Sequence, residues 1–338
     1  MNVSWKSFRH RVEWLLVKLA AFLVPFCPRP LIVGIGSAIG SVAAVVDRAG
    51  RRVALSNLEC AFGATMSPAQ KRQLVRESYR HFARTMTDLF WSPRLTRENY
   101  SRYIDVVNLD LVQAEMKKGN GIVFACCHYS NFEWVAVAAN HFGVPSALVT
   151  HTFKNPLLDP IFVGLRESSG QRVIAREGAV FQLFKTLRRG GCVAILTDLT
   201  LPAQLPTVAI DCFGLRTSVT FAHAWAYRRA GATIINVHCE PLPHGRYRVV
   251  FHPIVEFAPD ASLQEIAQTC WNQFEPVVRR NPAPWLWMYK HWRYRPEGAN
   301  PDAYPFYANV SPQFEKRLAE SEEALSPRVA VDGEVSRS

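Results

Sequence analysis

Apolar residues near the start of the chain recur at helical spacing, and polar residues fill the positions between them. The apolar stripe comprises Trp5, Phe8, Val12, Leu15, Leu16, Leu19 and Phe22. Aromatic and basic residues around such a stripe are typical of a helix that lies in a lipid headgroup layer. A second apolar run, residues 31–46, is uncharged but shorter than the roughly 20 residues that a spanning helix needs.

These patterns predict a membrane-associated helical segment over residues 1–48, attached to the membrane surface rather than spanning it. Arginines follow the second apolar run at positions 48, 51 and 52, which favours the same interpretation. Two alternatives stay open: the second run could span the membrane, or both stretches could be core helices of a soluble protein. No cleavable signal peptide is expected, because charged residues interrupt the first apolar stretch.

The pattern changes at about residue 121. Residues 50–118 are mostly helical in pattern, whereas short apolar runs then alternate with helical ones. The predicted strands are residues 121–127, 146–151, 172–175 and 192–198, followed by a hairpin of 233–242 and 247–257 around Gly245. Fully apolar strands between helices indicate an α/β fold with a largely parallel central sheet flanked by helices. We expect one domain over residues 49–300 and a polar, partly disordered tail over 301–338.

The net charge of the chain favours an acidic partner. The chain has 338 residues and a formal net charge of +11, so nucleic acid, anionic lipid, a phosphorylated substrate or an acidic carrier protein are all suitable partners. Its eight cysteines form no C-x-x-C pair, which indicates neither a disulfide framework nor a zinc site.

The candidate chemistry lies in residues 126–134, CCHYSNFEW, where a predicted strand ends just before His128 and a helix follows. Ligands of parallel sheets bind beyond the carboxyl ends of the strands. A carboxylate one turn into the helix, Glu133, can orient the imidazole and stabilise its charged form during proton transfer. The spacing alone is weak support, because about one His-x4-Asp/Glu match is expected by chance at this composition. Ser130-x-x-Glu133 also matches a helix capping box, which is a structural explanation for Glu133.

A protein nucleophile is not evident, since the chain lacks a G-x-S-x-G motif. Cys126 and Cys127 could act as thiolates, but cysteines that end an apolar strand are more typical of a core. Direct attack by a substrate hydroxyl that His128 deprotonates fits the pattern better.

Several motifs in unbroken order resemble the lipid A biosynthesis acyltransferase family, a branch of the HX4D/E acyltransferases. The block His128-Tyr-Ser-Asn131-Phe132-Glu133 is similar to the family's His-x-x-Asn-Trp-Glu. The other matching stretches are RRVALSNLECAF (51–62), KNPLLDPIFVGLRESSGQRVI (154–174), CVAILTDL (192–199), DCFGLRTSVTFAHAWAYRRAGATII (211–235) and WLWMYKHWRYRP (285–296). Phe132, Leu199 and Cys212 depart from the family pattern, and the last two leave the exact substrate open.

The resemblance implies a membrane-associated O-acyltransferase at the cytoplasmic face of a bacterial inner membrane. It would transfer a fatty acyl group from acyl carrier protein, or acyl-CoA, to a hydroxyl of a lipid A precursor. His128 would be the general base and Glu133 its partner, with no cofactor and no metal.

The resemblance also implies three substrate-binding residues. Arg166 would bind a phosphate or the developing oxyanion. Asp198 would orient Arg166 or a substrate hydroxyl, and Asn131 is either a helix cap or a ligand. The partners would be the carrier protein, an anionic glycolipid and the membrane surface, without nucleic acid.

Three alternatives stay open at this point. The acceptor could be another glycolipid or a lysophospholipid, or the enzyme could form a covalent thioester on Cys126 or Cys127. The chain could also be a basic membrane- or nucleic-acid-binding protein without catalysis. The aromatic-basic segment 285–296 could grip nucleic acid or lipid headgroups, or its tryptophans could pack against the sheet.

Overall fold

The computed structural model describes residues 5–150, 153–175, 178–202 and 204–325. In these residues the helices are α1 (Trp5–Leu23), α2 (Arg29–Val46), α3 (Arg48–Phe62), α4 (Pro68–Trp91), α5 (Leu109–Lys117), α6 (Phe132–Ala139), α7 (Asp159–Glu167), α8 (Ala179–Arg188), α9 (Ala222–Ala230), α10 (Leu263–Arg280) and α11 (Pro312–Leu325). The strands are β1 (Ile104–Val107), β2 (Ile122–Cys126), β3 (Ser146–Thr150), β4 (Arg172–Ala175), β5 (Cys192–Leu196), β6 (Thr207–Cys212), β7 (Leu215–Thr220), β8 (Thr233–Pro241) and β9 (Tyr247–Phe251).

Seven strands form the central sheet in the order β1-β9-β8-β2-β5-β3-β4. All neighbours are parallel except β8 and β9, which form the predicted antiparallel hairpin, with Gly245 at a φ of 71° in its turn. The prediction of an α/β fold with a largely parallel sheet is therefore confirmed. The sequence pattern missed β1, which interrupts the stretch predicted to be helical, and the separate two-stranded sheet of β6 and β7.

The central strand β2 is buried along its whole length, and its side chains alternate between two cores. Phe124 and Cys126 face a core that contains residues of α4 and α6, including Leu89 and Trp134. Residues on the other face pack against α8, α9 and α10. Because both faces are covered by helices, the open carboxyl edge of the sheet is the natural place for a site.

Helix α2, within the predicted N-terminal segment 1–48, packs tightly along α4. A Cβ atom at Gly40 would lie 2.5 Å from the Cα of Arg80, so only glycine permits this approach. Arg29, at the start of α2, forms a buried bidentate ion pair with Asp88 of α4.

The N-terminal helices nevertheless expose a large apolar surface. None of the residues of α1 is buried, and Trp5 and Phe22 are 75% and 65% exposed. The exposed large apolar residues of α2 are Leu31, Ile35, Ile39, Val42, Val45 and Val46. Within the described residues, Arg29–Val46 is the one helix long and apolar enough to cross a membrane, by length and composition alone.

The C-terminal region differs from the predicted tail. Phe314 of α11 is fully buried against Ala209 of β6, and the Tyr307 hydroxyl donates to the buried Asn57 side chain. Residues 301–320 thus pack on the body of the protein through the buried Tyr304, Tyr307 and Phe314, while Phe306 stays 52% exposed. Residues 326–338 of the predicted tail lie outside the described part of the chain.

Candidate active site

The loop that carries His128 connects the carboxyl end of β2 to α6 and is fixed at two points. The Ser130 N–H donates to the carbonyl of Pro284 at 2.9 Å, and the Ser130 carbonyl accepts from the Thr85 hydroxyl at 2.8 Å. Ser130 itself has a φ of 51°, in the left-handed region that non-glycine residues seldom occupy. Such a backbone conformation persists where surrounding contacts hold it, as these two hydrogen bonds do.

The imidazole of His128 is held by Asp198, not by Glu133 as predicted. The His128 Nδ1 lies 2.8 Å from one carboxylate oxygen of Asp198, and the His128 backbone N–H donates to the other at 2.9 Å. Both residues follow neighbouring parallel strands, β2 and β5, whose carboxyl ends meet at one edge. The sequence spacing pointed to Glu133 because the two residues are close along the chain, whereas the sheet brings Asp198 to the ring from 70 positions away.

Asp198 is inaccessible to solvent, while 12% of the His128 side chain is exposed. Burial by itself would raise the pKa of Asp198, but the His128 ring and the indole N–H of Trp285, which donates at 2.9 Å, hold it below the ordinary value. Asp198 is therefore a carboxylate at neutral pH. An ionised acceptor at Nδ1 keeps the proton on that nitrogen and leaves Nε2 as the basic atom, which makes no hydrogen bond to any described residue.

Glu133 forms a bidentate pair with Arg166 of α7. The Arg166 Nε and one terminal nitrogen donate to its two carboxylate oxygens at 2.9 and 2.6 Å. The predicted capping box is absent, because α6 is capped instead by Asn131. The Glu133 pair raises the pKa of Arg166 although burial alone would lower it, so the guanidinium stays charged. One terminal nitrogen of Arg166 makes no hydrogen bond to a described residue.

Asn131 is a helix cap, and its predicted role as a substrate ligand is not supported. Its side chain is fully buried, its oxygen accepts from the Trp134 N–H at 3.1 Å, and its amide donates to Asp88 at 2.8 Å. Since Asp88 also accepts from the Tyr247 hydroxyl at 2.7 Å, the cap belongs to a buried polar network that joins α4, α6 and β9. The carboxylate of Asp198, likewise fully buried, contacts His128 and Trp285 and makes no contact with Arg166, which it was predicted to orient.

The two cysteines before His128 are poor nucleophiles. Cys126 and Cys127 are 5% and 4% exposed, and burial together with the negative charge of Asp198 raises the pKa of both thiols. A thiol that stays protonated and has no access to solvent does not attack a thioester readily. These features weigh against a covalent intermediate on either residue. No group of three or more His, Cys, Asp or Glu side chains is positioned to hold a metal among the described residues.

The aromatic-basic segment 285–296 is largely core. Trp285, Trp287 and Trp292 are fully buried, so their rings are not available for stacking on nucleic acid bases. The amide of Asn57 fixes the backbone of this segment by donating to the carbonyls of Trp287 and Tyr289 at 2.8 and 2.7 Å. Sequence reasoning missed that the Trp285 indole N–H donates to Asp198. No signal in the sequence identifies that contact.

Comparison with known proteins agrees with the motifs. Residues 2–294 match the family model described as bacterial lipid A biosynthesis acyltransferase. The chain is 23% identical over 296 residues to the lipid A biosynthesis lauroyltransferase of Escherichia coli K12, which covers 85% of this chain and 90% of that protein. It is 26% identical over 226 residues to the phosphatidylinositol mannoside acyltransferase of Mycolicibacterium smegmatis, covering 65% and 72%. A lipid A biosynthesis acyltransferase of Haemophilus influenzae is 21% identical over 304 residues, covering 88% and 93%. The chain therefore belongs to the bacterial lipid A biosynthesis acyltransferase family, which confirms the resemblance of its motifs and the prediction of an acyltransferase-type enzyme.

Proposed function

We propose that this protein transfers a fatty acyl group from an acyl carrier protein thioester to a hydroxyl of a lipid A precursor at the inner membrane. The observation that carries the proposal is the imidazole of His128, fixed at Nδ1 by a buried carboxylate with its ring edge partly exposed at the open edge of the sheet. This is the arrangement of a general base whose tautomer is set by its partner.

The reaction then needs no protein nucleophile. The Nε2 atom of His128 takes the proton of the acceptor hydroxyl as the oxygen attacks the thioester carbonyl. The tetrahedral intermediate collapses, the carbon–sulfur bond breaks, and the imidazolium returns the proton to the departing thiolate. The products are an ester and a free thiol, and Asp198 stabilises the imidazolium while it exists.

Arg166 and Glu133 have a different role in this proposal. Their bidentate pair lies partly buried, with 14% and 8% of the side chains exposed. Glu133 fixes the guanidinium so that its remaining terminal nitrogen can donate to an acceptor phosphate or to the thioester oxygen, as a fixed-charge fork does. Both carboxylate oxygens of Glu133 accept from Arg166, at 2.9 and 2.6 Å, which supports a positioning role and not proton transfer.

The exposed apolar surface of α1 and α2 supports attachment to the membrane, where an acceptor lipid resides. We place the protein on the cytoplasmic face, where acyl carrier protein is available. The basic chain suits both an acidic carrier and an anionic glycolipid.

The test is to incubate the purified protein with a series of carrier-bound acyl thioesters and a lipid A precursor, and to weigh the lipid product. His128→Ala should lose acyl transfer by about a thousandfold or more while retaining the thermal unfolding midpoint. His244→Asn, at an exposed hairpin position with a φ of 59°, is the matched control and should keep full activity. An active His128→Ala protein would overturn the mechanism and favour a binding protein without this chemistry.

A different acceptor is the second candidate, favoured by the similarity to a protein named phosphatidylinositol mannoside acyltransferase. The same assay separates the two, because a phosphatidylinositol mannoside or a lysophospholipid replaces the lipid A precursor in parallel reactions. Acylation of only those lipids would overturn the proposed acceptor and leave the chemistry of His128 standing.

A further inference from the structure

Helix α8 presents an exposed face that combines basic and apolar side chains. Its sequence, AVFQLFKTLR, contains no acidic residue. Phe181, Lys185 and Arg188 follow one another at spacings of four and three, so they share one side of the helix. Phe181 is 70% exposed, Val180 beside it is 64% exposed, and both basic side chains are exposed. Neither Lys185 nor Arg188 forms an ion pair with a described residue, which leaves their charges available to a partner.

The position of α8 relates this face to the active site. The helix begins a few residues after β4, a strand parallel to β3 and, through β5, to the strand that ends before His128. Its apolar first turn therefore lies at the same edge of the sheet as the imidazole. From there the helix runs about 9 Å to Lys185 and about 14 Å to Arg188, at 1.5 Å per residue.

Helix α8 also lies on the opposite side of the sheet from the apolar N-terminal helices. It packs with Ala125 of β2, whereas Ile32 of α2 packs in the core that contains Phe124, the preceding residue of the same strand. Because successive side chains of a strand point to opposite faces, a bilayer that contacts α1 and α2 leaves α8 to the solvent. A soluble acidic protein can reach it there.

We propose that the face formed by Val180, Phe181, Lys185 and Arg188, with the adjacent Arg189, is the docking surface for the acidic carrier protein that brings the acyl thioester. The inference rests on the proposed function and names the surface that its donor uses. The basic residues steer and orient an acidic partner, and the apolar turn next to the catalytic edge gives it a point of contact. The carrier's flexible prosthetic arm then extends along the first turn of α8 toward His128.

The experiment reverses charge on this face and compares two donors. The first donor is lauroyl-acyl carrier protein, and the second is lauroyl-pantetheine, which has the same thioester without the carrier or its phosphate. Lys185→Glu/Arg188→Glu should raise KM for the carrier-bound donor about tenfold or more at low salt, with kcat unchanged. Turnover of lauroyl-pantetheine should stay within about twofold, because the active site is untouched.

The matched control is Arg72→Glu/Arg76→Glu on α4. Those two arginines are also exposed, four residues apart on a helix, and without an ion pair to any described residue. This double variant changes the net charge by the same amount and should bind the carrier as the wild type does. A second variant, Phe181→Ser, should weaken carrier binding while leaving lauroyl-pantetheine turnover intact.

Direct binding makes the test independent of turnover. The anisotropy of a fluorescent acyl carrier protein should report binding to the wild type that weakens with salt and is reduced in Lys185→Glu/Arg188→Glu. Three results would overturn the proposal: equal loss in the α4 control, equal loss with both donors, or a loss of binding to anionic phospholipid vesicles in place of carrier binding. The last would assign the surface to the bilayer. If the wild type bound the carrier but acylated no lipid, the proposed function would fail and the docking surface would stand.

Discussion

The variant Asp198→Asn tests whether Asp198 or Glu133 is the carboxylate that orients His128. In the wild type, one carboxylate oxygen of Asp198 accepts from Nδ1 of His128 at 2.8 Å. The other accepts from the His128 backbone N–H and from the Trp285 indole N–H, both at 2.9 Å. An asparagine here must place its single oxygen toward those two fixed donors. Its NH2 group then faces Nδ1 and donates to it, which forces the ring proton onto Nε2.

A ring with its proton on Nε2 cannot take a proton from a hydroxyl. In an enzyme with the same His–carboxylate arrangement, this change of tautomer lowers kcat about 10⁴-fold. We therefore expect kcat to fall about 10³- to 10⁴-fold, equivalent to about 4 to 5 kcal/mol of activation free energy. KM should change little, because the Asp198 side chain is inaccessible to solvent and both of its oxygens are already occupied by His128 and Trp285.

The assay is the rate of ester formation under saturating donor and acceptor, with the thermal unfolding midpoint measured on the same protein sample. Retention of activity within about tenfold, in a folded Asp198→Asn protein, would refute the assignment of Asp198 to the ring. Glu133→Gln is the matched control, because it makes the same carboxylate-to-amide change at the other carboxylate without affecting the Nδ1 contact of His128.

The remaining predictions concern stability, the thiols of Cys126 and Cys127, and the aromatic-basic segment 285–296. Stability should fall in acid partly through Asp198. Because the pKa of Asp198 is lowered in the folded state, its contribution to stability is complete above the unfolded pKa of about 3.9 and is lost as pH falls through the folded pKa. Urea unfolding across pH 2 to 6 should show the difference in unfolding free energy between the wild type and Asp198→Asn becoming smaller as the pH falls. Glu133→Gln should destabilise the fold by about 1 to 3 kcal/mol, less than for a fully buried pair because its partner guanidinium is 14% exposed, and lower kcat by less than Asp198→Asn does. The double variant Cys126→Ala/Cys127→Ala should keep activity within about threefold and show no acyl-protein by mass spectrometry, whereas loss of turnover with a stable fold would restore the covalent route. Asn57→Ala should cost about 2 to 4 kcal/mol in chemical denaturation, because the Trp287 carbonyl loses its donor and the buried Tyr307 hydroxyl loses its acceptor, while the Tyr289 carbonyl keeps the His291 N–H. An unchanged midpoint would contradict the role of Asn57 in fixing this segment.

The central sheet was predictable because its strands are short apolar runs bounded by turns. Strand β4 was predicted with its observed bounds, and β2, β3 and β5 within two residues at their carboxyl ends. Strand β1 was not, since IDVV contains the charged Asp105 and its apolar residues do not stand out from the surrounding helical pattern. The pair β6 and β7 lies in a separate small sheet, where polar residues alternate with apolar ones and no long apolar run marks the strands.

The site was predictable in its residues but not in its pairings. His128, Glu133, Arg166 and Asp198 were all named from the sequence, and the structure places each in one of two pairs at a single edge of the sheet. Spacing along the chain favoured pairing His128 with Glu133, because contacts within one helical turn are visible in a sequence. Pairings made by strand order are not visible, since they depend on which strand lies beside which.

The aromatic-basic segment 285–296 connects Asn57 of α3 with Asp198, the partner of the proposed general base His128. Asn57 on α3 holds the carbonyls of residues 287 and 289, and this fixes the turn that carries Trp285. The Trp285 indole N–H in turn occupies one oxygen of Asp198, so the oxygen that remains free is the one that faces His128. A carboxylate with one oxygen satisfied in this way cannot rotate without leaving a buried donor unpaired. Three parts of the chain therefore act together: segment 285–296 orients the carboxylate of Asp198, the carboxylate sets the tautomer of His128, and the tautomer decides whether His128 can accept a proton.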